Sequence, residues 1–207
     1  MRVGNTPASR LFLFRGRKHK NRLLREMTLE ATRVLASDRD IISENWNWMR
    51  WSREEVTKFR DGIDLNSLGI TMIELPLTKM LPRPSAEEFN ETWMASTSDR
   101  IDNSNYMGVF AIPESEHNAR SAISTGRVWQ RLNLLATTHG LAIHPVNQLV
   151  TVLEGGSLWK APYFSEQMQR RIMEAPGWVP AIIFRLGYPT LSVVGTPRRR
   201  LVTVVLA

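Results

Sequence analysis

Three arginines in a row, Arg198, Arg199 and Arg200, follow Pro197 and precede the apolar run LVTVVL near the end of the sequence. A guanidinium presents a planar fork of N–H donors that matches a phosphate in two parallel hydrogen bonds. In an extended segment alternate side chains face opposite ways, so Arg198 and Arg200 share one face and Arg199 takes the other. Two roles suit that pattern. One is a phosphate clamp at a strand edge. The other is a charged edge that blocks strand-to-strand association, and composition alone favours it.

The other reactive residue types form no constellation. The four histidines are His19, His117, His139 and His144, and none has a second ligand-type residue at a metal-binding spacing. His139 and His144 read as a helix C-cap and a loop residue. A G-x-S-x-G elbow and glycine-rich phosphate loops are both missing from the sequence. Cysteine is absent, which excludes disulfides, thiolate metal sites and a cysteine nucleophile. The pairs Glu54-Glu55 and Glu87-Glu88 lie at expected helix starts, where the helix dipole explains them. Arg127 and Arg131, four apart, share one helix face and read either as surface charge or as partners of a phosphate or carboxylate. Arg185 stands inside an apolar strand pattern, where it must be paired with a carboxylate or with carbonyls.

The formal charge of +7 points at first to nucleic acid. Its distribution argues against that. Met1–Arg25 carry eight Lys or Arg and no acidic residue, whereas from Glu26 onward 19 basic residues face 20 acidic ones. A nucleic-acid partner is therefore not expected. Residues 1–20 are expected to be a basic tail, either a disordered end or a short strand with a linker. The remaining 21–207 are long enough for one domain with a real core. No apolar run could span a bilayer and no signal peptide opens the chain. No membrane association is expected, and a cytoplasmic location fits.

The elements that must position these residues can be read from periodicity and caps. Leu24, Met27, Ala31 and Leu35 recur at helical spacing and predict a helix over 21–36. Ser52 with Glu55, and Ser85 with Glu88, are capping boxes that open two more helices. Between them, 65–84 is an irregular excursion punctuated by Pro76, Pro82 and Pro84. Tyr106–Ile112 reads as a buried strand. The longest helix is expected over 119–139, with Val128, Leu132, Leu135, Ala136 and His139 as one stripe and Gly140 as its stop. LAIHPVNQ is read as extended, 164–174 as helix, PAIIFRLGYP as a strand ending at Gly187, and LVTVVL as the last strand.

Three stretches taken together, GRVWQRLNLLATTHGLAIHPVNQ, VPAIIFRLGYP and TPRRRLVTVV, resemble the C-terminal half of the nitroreductase-like flavoproteins. The phrases WMRWSREEVTKFRDGIDLNSLGI and KMLPRPSAEEFNETW resemble the middle of the Acg-type branch, so the likeness runs from about Leu24 onward. The resemblance implies an α+β fold: a mixed sheet flanked by helices, with a long central helix and a C-terminal strand. It implies FMN as cofactor. Arg198 stands at the family's phosphate arginine with Arg199 beside it, and Thr196 stands where many members carry Lys. The segment His144, Pro145, Val146, Asn147 and Gln148 would pass beside the flavin ring and offer it backbone groups and amides. Trp129, Leu141, Ile143 and Pro145 would help cover the ring.

The implied activity is flavin-mediated hydride transfer from a nicotinamide donor to a small acceptor, in a homodimer. No protein acid or base is then required, because the cofactor carries the chemistry. The family's N-terminal flavin motifs are not found in this sequence. The chain is accordingly expected to begin partway through a longer architecture, with a missing half or a partner completing the site. Two alternatives remain open. One is a flavin-sequestering protein with 65–84 as its lid. The other is a cofactor-free half-domain.

Overall fold

The computed structural model describes residues 9–16, 18–65, 82–155, 161–190 and 197–200. Two compact units divide the chain: Met1–Ser37 with Met94–Pro189, and Asp38–Trp93 with Thr190–Ala207.

The first unit is built on a four-stranded sheet of β1 (Arg10–Arg15), β4 (Tyr106–Pro113), β6 (Trp178–Gly187) and β5 (Ala142–Pro145), in that order. Every pairing in it is antiparallel. β4 is paired on both sides, and its central residues are buried, as its unbroken apolar run requires. Part of the segment read as a basic tail is thus an edge strand, and the chain enters helix at His19. Phe184 is fully buried beside Phe110 and Trp129, at ring separations of 5.7 and 5.4 Å. Burial of such a ring contributes about 2–3 kcal/mol. Gly108 lies beneath it, and any Cβ at that position would run into the ring.

Helix α1 (His19–Ala36) buries Leu24, Met27, Ala31 and Leu35, the stripe that periodicity predicts. Thr28 and Thr32 share that face, and their hydroxyls donate to the carbonyls of Leu24 and Thr28 at 2.8 Å. Helix α5 (Ala119–Thr138) is the long central helix, capped at its end by His139 with Gly140 following at φ +68°. Its expected stripe needs correction. Of those residues Ala136 is buried, Val128 and Leu132 are half-buried, and Leu135 and His139 are exposed. The helix rests on β6 through Trp129, which leaves Ile123, Leu134 and Leu135 each more than half exposed. Helix α6 (Gln148–Glu154) begins where the extended reading of LAIHPVNQ ends. Helix α7 (Ala161–Gln167) runs into a π-helical turn, Met168–Ile172, and its apolar residues Phe164, Met168 and Ile172 are buried four apart.

The second unit holds α2 (Arg39–Trp48), α3 (Arg53–Phe59), the two-residue strands β2 (Met49–Arg50) and β3 (Ile63–Asp64), which pair in parallel, and the first two turns of α4 (Ala86–Asp102). The predicted capping box at Ser85 is complete, whereas at Ser52 only the hydroxyl half forms and the Glu55 carboxylate accepts from Trp51 N–H at 2.8 Å instead. Ser52 Oγ accepts from Glu55 N–H at 3.1 Å, and Ser85 and Glu88 exchange bonds at 2.8 and 3.2 Å. Helix α2 has no fully buried residue; Ile41, Ile42, Asn45 and Trp46 are half-buried along one face. Its end supplies Trp46 to a cluster with Trp51, Phe89 and Arg83, the guanidinium lying 4.0 Å from the Trp46 ring. Most of the Pro-punctuated excursion, residues 66–81, and the expected last strand, 201–206, lie outside the described residues.

Candidate functional site

Two clusters hold the residues singled out by sequence, one in each unit. In the first unit the segment His144–Gln148 joins β5 to α6. Val146 is buried, and its N–H donates to Ile183 O at 2.8 Å. The side-chain oxygen of Asn147 accepts from Ile183 N–H at 2.9 Å. Both groups fasten the segment to β6, so these two atoms are engaged by the sheet. Gln148 differs. Its Oε1 is buried and has no hydrogen-bond partner among the described residues, which leaves an acceptor whose desolvation is uncompensated. Pro145 is exposed on β5, opposite Phe184.

His144 pairs across the strands with Arg185. In an antiparallel pair such residues share a face, with Cβ atoms about 5 Å apart. Arg185 donates from Nη1 to the backbone carbonyl of Arg100 in α4 at 3.1 Å, which meets the expectation that it bonds a carbonyl. Its Nε is buried without a partner. The cluster is cationic. Crowding by surrounding protein comes first, then the charges of Arg185 and Arg100, and together they hold the His144 pKa down to about 4. The residue nevertheless keeps exposed surface. Burial, then repulsion from Arg100, lowers the pKa of Arg185, and Asp99 offsets part of this. Trp129 packs against Phe184 and behaves as a core residue.

In the second unit, Pro197–Arg200 are described without strand structure. Two successive residues at the end of α3 grip two successive residues of this cluster. Arg60 Nε donates to the backbone carbonyl of Arg198 at 2.8 Å, and Asp61 takes the Arg199 guanidinium. Arg60 adopts the left-handed conformation at φ 54°, which turns the chain off the helix end. Asp61 also binds Arg50 at 2.7 Å, and Arg50 reaches the carbonyl of Asn47 at 2.8 Å. An open cavity of about 480 Å³ lies beside this chain of charges, lined by Asp40, Glu44, Trp48, Arg50, Asp61 and Arg199 among others. Three carboxylates face two guanidiniums there, a balance that does not suit a phosphate. The Arg199 guanidinium is thereby tied to Asp61 at the end of α3. Arg198 is exposed, and its backbone carbonyl accepts from Arg60.

Sequence reasoning missed the partners rather than the residues. Arg100 lies 85 positions from Arg185, and Asp61 lies 138 from Arg199. An arginine inside an apolar strand was the one signal available. Among the described residues no group of three or more His, Asp or Glu could hold a metal, and no helix is long and apolar enough to cross a membrane.

No protein-family profile and no curated protein matches the sequence. Solved structures do. A nitroreductase with bound FMN from Desulfitobacterium hafniense DCB-2 aligns at a TM-score of 0.53 and 14% identity, covering 93% of this chain and 71% of that one. The fold is nitroreductase-like. The FMN-dependent nitroreductase NfnB from Mycobacterium smegmatis, in complex with NADPH, aligns at a TM-score of 0.53 and 14% identity, covering 97% of this chain and 81% of that one. At this identity the likeness is one of fold: helices around an antiparallel sheet, with α5 as the long central helix.

Proposed function

We propose that this chain is an FMN-dependent, NAD(P)H-linked oxidoreductase of nitroreductase type, nearest to the Acg-type branch and corresponding to its C-terminal portion. The observation that carries the reading is the shared fold with two FMN nitroreductases, one of them in complex with NADPH, across more than nine-tenths of the chain. The residues present fit the cofactor in part. Gln148 Oε1 is a buried acceptor that lacks a donor, within the segment expected to flank the ring, and a flavin ring N–H would satisfy it. Arg198 supplies positive charge for the phosphate. Pro145 and the half-buried Ile143 supply apolar cover.

FMN, when bound, supplies two-electron chemistry between a nicotinamide donor and a small acceptor. The protein's part is to hold and orient. Val146 and Asn147 lock the segment to β6, so that Gln148 is presented from a rigid base. The exposed apolar residues of α5, Ile123, Leu134 and Leu135, favour a homodimer, because burying them against a second copy removes apolar surface from water. Cytoplasmic location belongs to the same reading.

An absorbance spectrum of the purified chain with added FMN, before and after NADPH, tests this. Uptake of the yellow cofactor followed by bleaching within seconds is expected. Flavin that binds and stays oxidised would mark a storage protein. A chain that takes up no FMN overturns the reading.

A further inference from the structure

We infer that the Gln148 side chain is the specificity-determining group of the flavin site, selecting a ring edge that carries an N–H beside a carbonyl. The inference rests on the flavin reading and names the part of the ligand that one residue reads.

Two amides stand side by side in the chain, and the fold uses them differently. Asn147 is spent on the fold itself. Its Oδ1 accepts from Ile183 N–H at 2.9 Å, and its backbone carbonyl accepts from Thr151 N–H at 2.9 Å and Thr151 Oγ1 at 3.1 Å. Gln148 follows as the first residue of α6, in which Leu149, Val150 and Val152 are buried. Its backbone is therefore held from both sides. Its carboxamide is not: no group among the described residues bonds it, and Oε1 is shut away from water. A buried carbonyl oxygen without a donor keeps the full cost of its desolvation, and buried polar groups of folded chains are nearly always paired. A structural glutamine would have been given its donor by the fold. The residue as a whole is half-buried, so a ligand can reach the amide. A fixed backbone carrying a free amide loses little freedom on binding, because only side-chain torsions remain to be ordered.

The chemistry of the amide names its complement. A carboxamide offers an acceptor oxygen beside an N–H donor group. It matches a planar edge with a donor next to an acceptor, the pattern by which Asn and Gln read a base edge in two bonds. The oxidised flavin ring has that pattern at N3–H and its flanking carbonyls. The terminal torsion of Gln148 is soft, so the amide can turn its oxygen to the N–H and its nitrogen to a carbonyl. A methyl group at N3 removes the donor and leaves Oε1 unpaired. A site built to bond a group rejects the analogue that lacks it.

Fluorescence titration of the full chain with FMN and with 3-methyl-FMN tests this. Wild type is expected to bind FMN about tenfold or more tightly than the methylated analogue. Gln148→Met keeps the bulk of the side chain and removes both amide groups. In that variant the two flavins should bind within about threefold of each other, with FMN weaker than in wild type. Urea unfolding without flavin gives a second readout, which a structural glutamine would move the other way. The substitution removes an unpaired acceptor, so the Gln148→Met midpoint should equal or exceed that of wild type. A lower midpoint, or a variant that does not fold, marks Gln148 as structural and overturns the proposal. So does equal affinity of wild type for the two flavins, a comparison that needs no variant, or discrimination that survives in Gln148→Met. Equal uptake of both flavins leaves the flavin reading standing, whereas a chain that takes up neither loses both.

Discussion

Asp61 holds the Arg199 guanidinium while sharing its carboxylate with Arg50 at 2.7 Å. The side chains of Asp61 and Arg50 are 14% and 13% exposed, so the pair is substantially desolvated. Asp61→Asn removes the counter-charge for two guanidiniums at once. The expected loss is about 3 kcal/mol, read from urea unfolding midpoints. A variant as stable as wild type would show that Asp61 is not the anchor.

The neighbouring arginines should separate by function. Arg198→Ala is expected to weaken FMN binding about tenfold or more, the order of one lost charge-assisted hydrogen bond. Arg199→Ala should lower stability and leave FMN affinity within about twofold, since its charge is already engaged by Asp61. Fluorescence titration of FMN distinguishes the two, and equal losses of affinity would contradict the assignment.

Acid should weaken the fold through His144. Its ordinary pKa is about 6.5, and it is held to about 4 in the folded chain by crowding and by Arg185 and Arg100. Between those values the unfolded chain binds a proton that the folded chain refuses, so stability falls as pH drops through that window and the effect is absent above it. Urea midpoints measured between pH 7 and 4 should decline, and His144→Gln should flatten part of that slope. An unchanged slope in the variant would refute the coupling.

Gly108 and Phe184 form a size-coupled pair in the core. Gly108→Ala drives a methyl into the Phe184 ring, and overpacking of this kind costs about 1–3 kcal/mol. Phe184→Leu in the same chain should recover part of that loss, as a double-mutant cycle in urea would measure. Additive losses would mean the contact is not the cause.

The exposed face of α5 gives a test of assembly. Leu135→Glu puts a charge among residues more than half exposed, so it should leave the monomer's fold intact while shifting sedimentation from dimer to monomer. Identical sedimentation of variant and wild type would argue against pairing through this face.

The sequence by itself determined the elements whose signal is local. The α1 stripe of Leu24, Met27, Ala31 and Leu35, the Ser52 hydroxyl cap, the capping box at Ser85, the Gly140 stop and the buried run of β4 all follow from periodicity and caps, which act within a few residues. It also marked Arg185 as an arginine in need of a partner. Only the tertiary structure decided what lies across the fold. Helix α2 buries none of its residues fully, which the sequence did not announce. The stripe of α5 could not say which side meets β6. The Arg100 carbonyl meets Arg185, Asp61 takes the Arg199 guanidinium, and Val146 and Asn147 bond Ile183. Hydrogen bonds and ion pairs between residues 36 to 138 positions apart depend on how the chain is brought back on itself, and no pattern in the linear order encodes that distance.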